Sequence, residues 1–238
     1  VLFQQFELSY MWLYTLGGGV AVVIVFYCWQ SFPLFPEKVT QTKKIILRKR
    51  YWLYYALQFM SGARRQIFVV FAGFLMVEKF EFTVAEISML LIANAAINVV
   101  LAPKIGRLIQ RFGERKSLIF EYIGLSLIFA GYAFVESSEF AVFLYIADHL
   151  FFSIAIALKT YFQKIADPAD IASSSGVSFT INHIAAVFIP VAFGLVWLYS
   201  PSLVFLAGSG MAIFSLILAL NMPSKPALGN EVLLGKFS

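Results

Sequence analysis

Residues Tyr51–Val77 read YWLYYALQFMSGARRQIFVVFAGFLMV, an apolar run long enough to cross a bilayer, with Arg64 and Arg65 side by side in its middle. An Arg at the centre of a spanning helix costs about 2.5–3.5 kcal/mol, whereas a Leu, Ile, Phe or Val returns only about 0.3–0.6 kcal/mol. Two arginines therefore cancel about ten good apolar residues. A helix exposed to lipid all round would not carry that load. The pair has to point into protein or a wet cavity, which implies a polar solute handled inside the membrane.

Composition agrees with this reading. The chain is 61% hydrophobic and 13% charged, against about 25% charged for a soluble domain. Its net charge of +5 lies between the apolar runs, which argues for membrane topology and against nucleic acid as a partner. With Cys28 as the single cysteine, a disulfide within the chain is impossible and a cysteine metal site is not expected. No Gly-x-x-x-x-Gly-Lys-Ser/Thr loop occurs, and no cofactor is expected.

The apolar runs are Leu8–Gln30, Tyr51–Val77, Val84–Ala102, Ser117–Val135, Phe140–Phe162, Ile171–Trp197 and Ser202–Met222. They predict an all-α, polytopic bundle of about seven transmembrane helices. The runs are continuous rather than alternating, which excludes a transmembrane barrel. One side of the membrane receives Lys38, Lys43, Lys44, Arg48, Lys49, Arg50, Lys104, Arg107, Arg111, Arg115, Lys116, Lys164, Lys225 and Lys236. The other receives Lys79 beside Glu7, Glu78, Glu81, Glu86, Glu136 and Glu139. This asymmetry places residues 31–50 and the tail, 223–238, in the cytoplasm, and Val1 outside. The expected membrane is the cytoplasmic one. Residues 31–50, with Pro33, Pro36 and the basic cluster, form a solvated linker facing anionic lipid. The linker separates one lone helix, 1–30, from six closely connected ones, 51–222, a plan natural for the second part of a twelve-helix protein.

After the third run comes Gly106-Arg107-Leu108-Ile109-Gln110-Arg111-Phe112-Gly113-Glu114-Arg115-Lys116. It resembles the cytoplasmic loop signature of the major facilitator superfamily, Gly-x-Leu-x-Asp-Arg-x-Gly-Arg-Arg/Lys-Arg/Lys. Gly106, Leu108, Arg111, Gly113, Arg115 and Lys116 match, while Gln110 replaces Asp and Glu114 replaces Arg. The resemblance implies the C-terminal six-helix domain of such a transporter plus the preceding helix, with an N-terminal half of the same protein as partner. Glycines permit a tight turn and close helix approach. Arg107 and the other guanidinium groups could hold the cytoplasmic face closed by pairing with carboxylates of the partner half. Glu121 is a local candidate partner for Arg111 or Arg115.

Helical periodicity puts Gln58, Gly62 and Arg65 on one face, with Arg64 about 100° round. They form either a cationic lining for an anionic or polar solute or a structural ion pair with another helix. Asn94 and Asn98 are interhelical glue or solute ligands. Asp148 is the one deep carboxylate recognised in the spans, a partner for Arg64 or Arg65 or a proton carrier. His149 could titrate near neutrality. Lys159 lies about 16 Å of rise from Asp148 and is expected to snorkel to the surface. Ser174, Ser178 and Asn182 share a stripe, with His183 beside it and Pro190 beyond. Helix roles in the superfamily make Arg64, Arg65, Asp148, His149 and Asn182 the implied cavity residues, joined from the residue pattern by Gln58 and Asn94. Tyr51, Trp52, Tyr54, Tyr55, Trp197 and Tyr199 read as interface belts.

The function expected is secondary transport of a small polar or anionic solute by alternating access, ion- or proton-coupled. The alternative is a sensor or assembly scaffold that keeps the fold without transport. An intramembrane enzyme is disfavoured, since neither a Gly-x-Ser-x-Gly elbow nor His-Glu-x-x-His occurs.

Overall fold

The computed structural model describes residues 10–33, 39–40, 42 and 44–236. Expectations resting on Val1, Glu7, Leu8, Pro36, Lys38 and Lys43 fall outside them. Among the described residues there are seven helices long and apolar enough to cross a membrane. They are α1 (Tyr10–Ser31), α2 (Lys49–Phe80), α3 (Val84–Phe112), α4 (Glu114–Ala133), α5 (Ser138–Ile165), α6 (Pro168–Tyr199) and α7 (Pro201–Leu220). The fold is all-α, and among the described residues the only extended pairing is an isolated bridge between Ala227 and Asn230.

The chain divides into two compact units, Val1–Thr40 and Gln41–Ser238. The first contains α1, whose apolar residues run round the whole helix. The second contains α2–α7.

Local chemistry sets the helix ends in the second unit. A capping box starts α3: the Thr83 hydroxyl accepts from the Glu86 N–H, and the Glu86 carboxylate accepts from the Thr83 N–H. Ser137 caps α5 by accepting from the Phe140 N–H. Asp167 does the same for the first turn of α6, accepting from the Ala169 N–H. Gly113 alone joins α3 to α4, at φ 83° and ψ 161°, a conformation only glycine adopts readily. Within α2 the regular turns give way to a π-helical segment, Ile67–Ala72, immediately beyond the arginine pair. Such widened turns are frequent at functional sites.

Helices α4 and α7 pack most closely, followed by α2 and α6. Small residues permit the approach: Phe129 of α4 lies over Gly208 of α7, and the Ser209 hydroxyl donates to the Ser126 carbonyl at 2.9 Å. One apolar cluster gathers Ile67, Phe71, Phe129, Tyr132 and Phe205; the other, at the basic end, gathers Tyr51, Leu57, Tyr122, Tyr161 and Phe162. Helix α3 lies at the edge, against α4 and α5, and buries only Asn94 and Ile109.

Two expectations are corrected by the packing. Helix α3 does not stop at Ala102 but continues through Gly106 and Arg111 to Phe112. The apolar window ends where charges begin, whereas backbone hydrogen bonding carries on. The expected loop is thus mostly helix, and its turn is Gly113. Second, Tyr51, Tyr54 and Tyr55 are buried, not interfacial. Their hydroxyls pin α2 to α6: Tyr54 donates to Ser178 Oγ at 2.9 Å, and Tyr55 to Ser174 Oγ at 3.3 Å. Residues beyond Met222 fold back over the basic end. Val232 is buried in the core, the Tyr161 hydroxyl donates to the Glu231 carbonyl at 2.6 Å, and the Trp52 indole donates to the Gly235 carbonyl at 3.0 Å.

Candidate functional site

Adjacent residues on a helix diverge by about 100°, so Arg64 and Arg65 go separate ways. Arg64 turns into the bundle and is 1% exposed. Its Nη2 lies 3.9 Å from Glu121 Oε1 on α4, and its guanidinium carbon sits 4.4 Å from the centre of the Tyr122 ring. Asp148 on α5 is also buried and lies within Coulomb reach of Arg64 and Glu121, although no cation approaches it within 4.0 Å among the described residues. None of the charged atoms of these three side chains has a hydrogen-bond partner among the described residues. The centre joins three helices through one cation and two carboxyl groups.

Arg65 turns the other way and is exposed. It lines two adjoining cavities of about 430 and about 470 Å³, which share Gln58, Arg65, Lys159 and Asn182. The first extends to His149, Asn98 and Ser153, and the second towards the basic end, to Tyr54, Gln163 and His183. No Asp or Glu among the described residues lines either cavity. Among the described residues, neither Arg65 nor Lys159 has a carboxylate within 4.0 Å. Aromatic surface supplements the charge: Arg65 sits 5.7 Å from the centre of the Phe152 ring, and Phe68 stands against His149. The arrangement is a cationic, partly aromatic wall on α2, α5 and α6. It can hold an anion by charge and an organic group by ring contact.

The expected cavity residues therefore separate into two sets. Gln58, Arg65, His149 and Asn182 line the cavities. Arg64 and Asp148 form the buried centre with Glu121, and Asn94 is buried on α3 without a hydrogen-bond partner among the described residues. Asn98 accepts from the Ser153 hydroxyl at 3.2 Å and so ties α3 to α5. Two residues were undervalued by the sequence reading. Lys159 lines both cavities, and His183 lines the second, its ring held against Phe179. The signal available for both was a polar side chain within an apolar span.

Glu121 is corrected as well. It meets neither Arg111 nor Arg115, because it lies about 10 Å of rise beyond Glu114 and faces α2. Arg115 instead donates to the Leu220 carbonyl at 2.9 Å and to Ser224 Oγ at 3.3 Å. Glu114 is buried and holds Lys164 at 2.6 Å. Gly106 sits within regular helix with open space around it. Arg107, Arg111 and Lys116 remain exposed on the α3–α4 corner.

The model of the Major Facilitator Superfamily matches the chain twice, over residues 4–190 and 54–233. No curated protein and no solved structure matches it. The two family matches together cover nearly all of a sequence whose seven apolar helices suit an integral membrane protein. The chain belongs to the Major Facilitator Superfamily and is a membrane transporter of that kind.

Proposed function

We propose that the protein is a secondary transporter that moves a small anionic or polar solute by alternating access, with proton coupling. The observation that carries this reading is Arg65: an exposed guanidinium at mid-helix, in cavities lined by further cationic and polar groups and by no acid. An anion entering there neutralises charge that has no carboxylate partner among the described residues. Phe68 and Phe152 supply contact for an organic part of the solute. The α2–α7 domain would rock against a second half around this mid-depth site. The basic end, with the C-terminal segment, would face the cytoplasm, in the cytoplasmic membrane.

Asp148 is the proposed proton carrier. It is buried, with Glu121 and the cation Arg64 within Coulomb reach, as are Tyr132 and Tyr145. With both acids ionised the centre would hold a net negative charge away from water, and one proton removes it. Arg65, adjacent to Arg64 in α2, links this centre to the cavity wall.

Uptake into proteoliposomes tests the reading, using full-length protein and labelled mono- and dicarboxylates, phosphate esters and a neutral sugar. An anion is expected to be transported, and Arg65→Gln to reduce uptake about tenfold or more, the loss of one charge-assisted contact. Asp148→Asn is expected to flatten the dependence of uptake on a pH gradient. Unchanged uptake by Arg65→Gln would overturn the solute site, and an unchanged pH profile in Asp148→Asn the coupling assignment.

A further inference from the structure

The corner between α3 and α4 at the basic end belongs to neither the cavities nor the buried centre. Lys104, Arg107 and Arg111 recur at helical spacing along the last turns of α3, spanning about 10 Å of rise. All three are exposed. With Leu108 and Phe112 they line a recess of about 270 Å³. Leu108 and Phe112 also line a second recess of about 280 Å³, completed by Lys116, Ser117 and Phe120. A cationic shelf thus runs directly into an apolar groove.

The acids that could neutralise this shelf are engaged elsewhere. Gln110 is neutral, Glu114 turns inward to Lys164, and Glu121 is buried against Arg64. Among the described residues, none of Lys104, Arg107, Arg111 and Lys116 has a carboxylate within 4.0 Å. Arg107 Nε makes only a long bond to the Pro103 carbonyl of its own helix, and Arg111 lies over the Phe112 ring. At about 42 Å, α3 is longer than a hydrocarbon core of about 30 Å, so its charged end reaches headgroup level while the groove runs back towards the acyl chains.

We propose that this corner binds one anionic phospholipid. Its phosphate sits on Arg107, Arg111 and Lys104, and an acyl chain lies along Leu108, Phe112 and Phe120. The pairing follows from charge complementarity next to an apolar groove. A soluble phosphate would use the shelf but leave the groove empty.

Native mass spectrometry of the full chain, released from nanodiscs of phosphatidylcholine and phosphatidylglycerol, tests this. Wild-type protein is expected to retain one phosphatidylglycerol in preference to phosphatidylcholine. Each of Lys104→Gln, Arg107→Gln and Arg111→Gln should weaken retention about fivefold. Phe112→Ala with Phe120→Ala should weaken it while leaving the cations in place. The charge-matched control Lys44→Gln, Lys225→Gln, Lys236→Gln should retain the lipid, and excess inorganic phosphate should not displace it. The proposal is overturned by undiminished retention when Lys104→Gln, Arg107→Gln and Arg111→Gln are combined, by equal loss in the control, or by displacement with inorganic phosphate. It is also overturned if shelf variants keep the lipid but separate a protein–protein complex.

Discussion

Arg64 of α2 and Glu121 of α4 face each other at 3.9 Å with both side chains essentially inaccessible, 1% and 0% exposed. Without hydrogen bonds to satisfy their remaining atoms, Coulomb attraction has little with which to offset desolvation. Removing one partner of a buried pair costs about 3–5 kcal/mol because the other charge is stranded. Arg64→Met should therefore lower the Tm sharply in detergent. Arg64→Met combined with Glu121→Gln and Asp148→Asn should recover most of the loss. If the triple variant melts no higher than Arg64→Met, the centre does not act as one charge-balanced unit.

The divergence of Arg64 and Arg65 can be read by chemical accessibility. Cys28 is the only cysteine, so Cys28→Ser provides a background free of thiols. In it, Arg65→Cys should react rapidly with a charged, membrane-impermeant thiol reagent in detergent, and Arg64→Cys should react far more slowly. Equal rates at the two positions would mean that both face the cavity.

Much of the architecture was legible because lipid-spanning helices leave a strong apolar signature, and the observed spans lie close to the apolar runs. Arg64 and Arg65 announced themselves by their insertion cost. What could not be read was the rotation of each helix about its axis. Periodicity places Arg64 about 100° from Arg65 but does not say which faces a neighbour. For that reason Arg64 and Asp148 were expected in the cavity, and Glu121 near the loop arginines. Lys159 was missed because a lysine near a helix end satisfies two environments equally well from sequence. The burial of Tyr54 and Tyr55 depends on Ser178 and Ser174, more than a hundred residues away, which no local pattern encodes.

Close packing behind the site gives a separate prediction at Gly124. A Cβ there would collide with the Phe151 ring, where α4 packs against α5 about one turn from Asp148. Overpacking of this kind costs about 1–3 kcal/mol. Gly124→Ala should lower the Tm, and adding Phe151→Leu should recover part of the loss. At Gly62 a Cβ would lie 2.6 Å from Asn182 Oδ1, a cavity residue. Gly62→Ala should therefore alter solute affinity more than stability, measured as KM against Tm. A lowered Tm with unchanged KM would make Gly62 a packing residue alone.

At the basic end, Asp170 draws the segment before α2 onto the start of α6. Arg48 donates to it from Nε at 2.8 Å and from Nη2 at 2.9 Å, and the Tyr51 hydroxyl donates at 3.3 Å. The preceding chain runs alongside: Thr42 N–H donates to the Ala169 carbonyl, Ile46 N–H to Ser173 Oγ, and Ser173 Oγ to the Lys44 carbonyl. These contacts hold a backbone rich in Lys and Arg in place and should shield it from trypsin. Asp170→Asn keeps the size of the side chain but removes the charge that binds Arg48, so cleavage after Lys44 and Arg48 should accelerate. The Tyr54–Ser178 and Tyr55–Ser174 bonds remain and should keep α2 on α6, leaving the Tm little changed. Limited proteolysis followed by peptide mass mapping measures both sites. Unchanged cleavage in Asp170→Asn would show that the Ser173 and Ala169 contacts suffice to hold the segment without the ion pair.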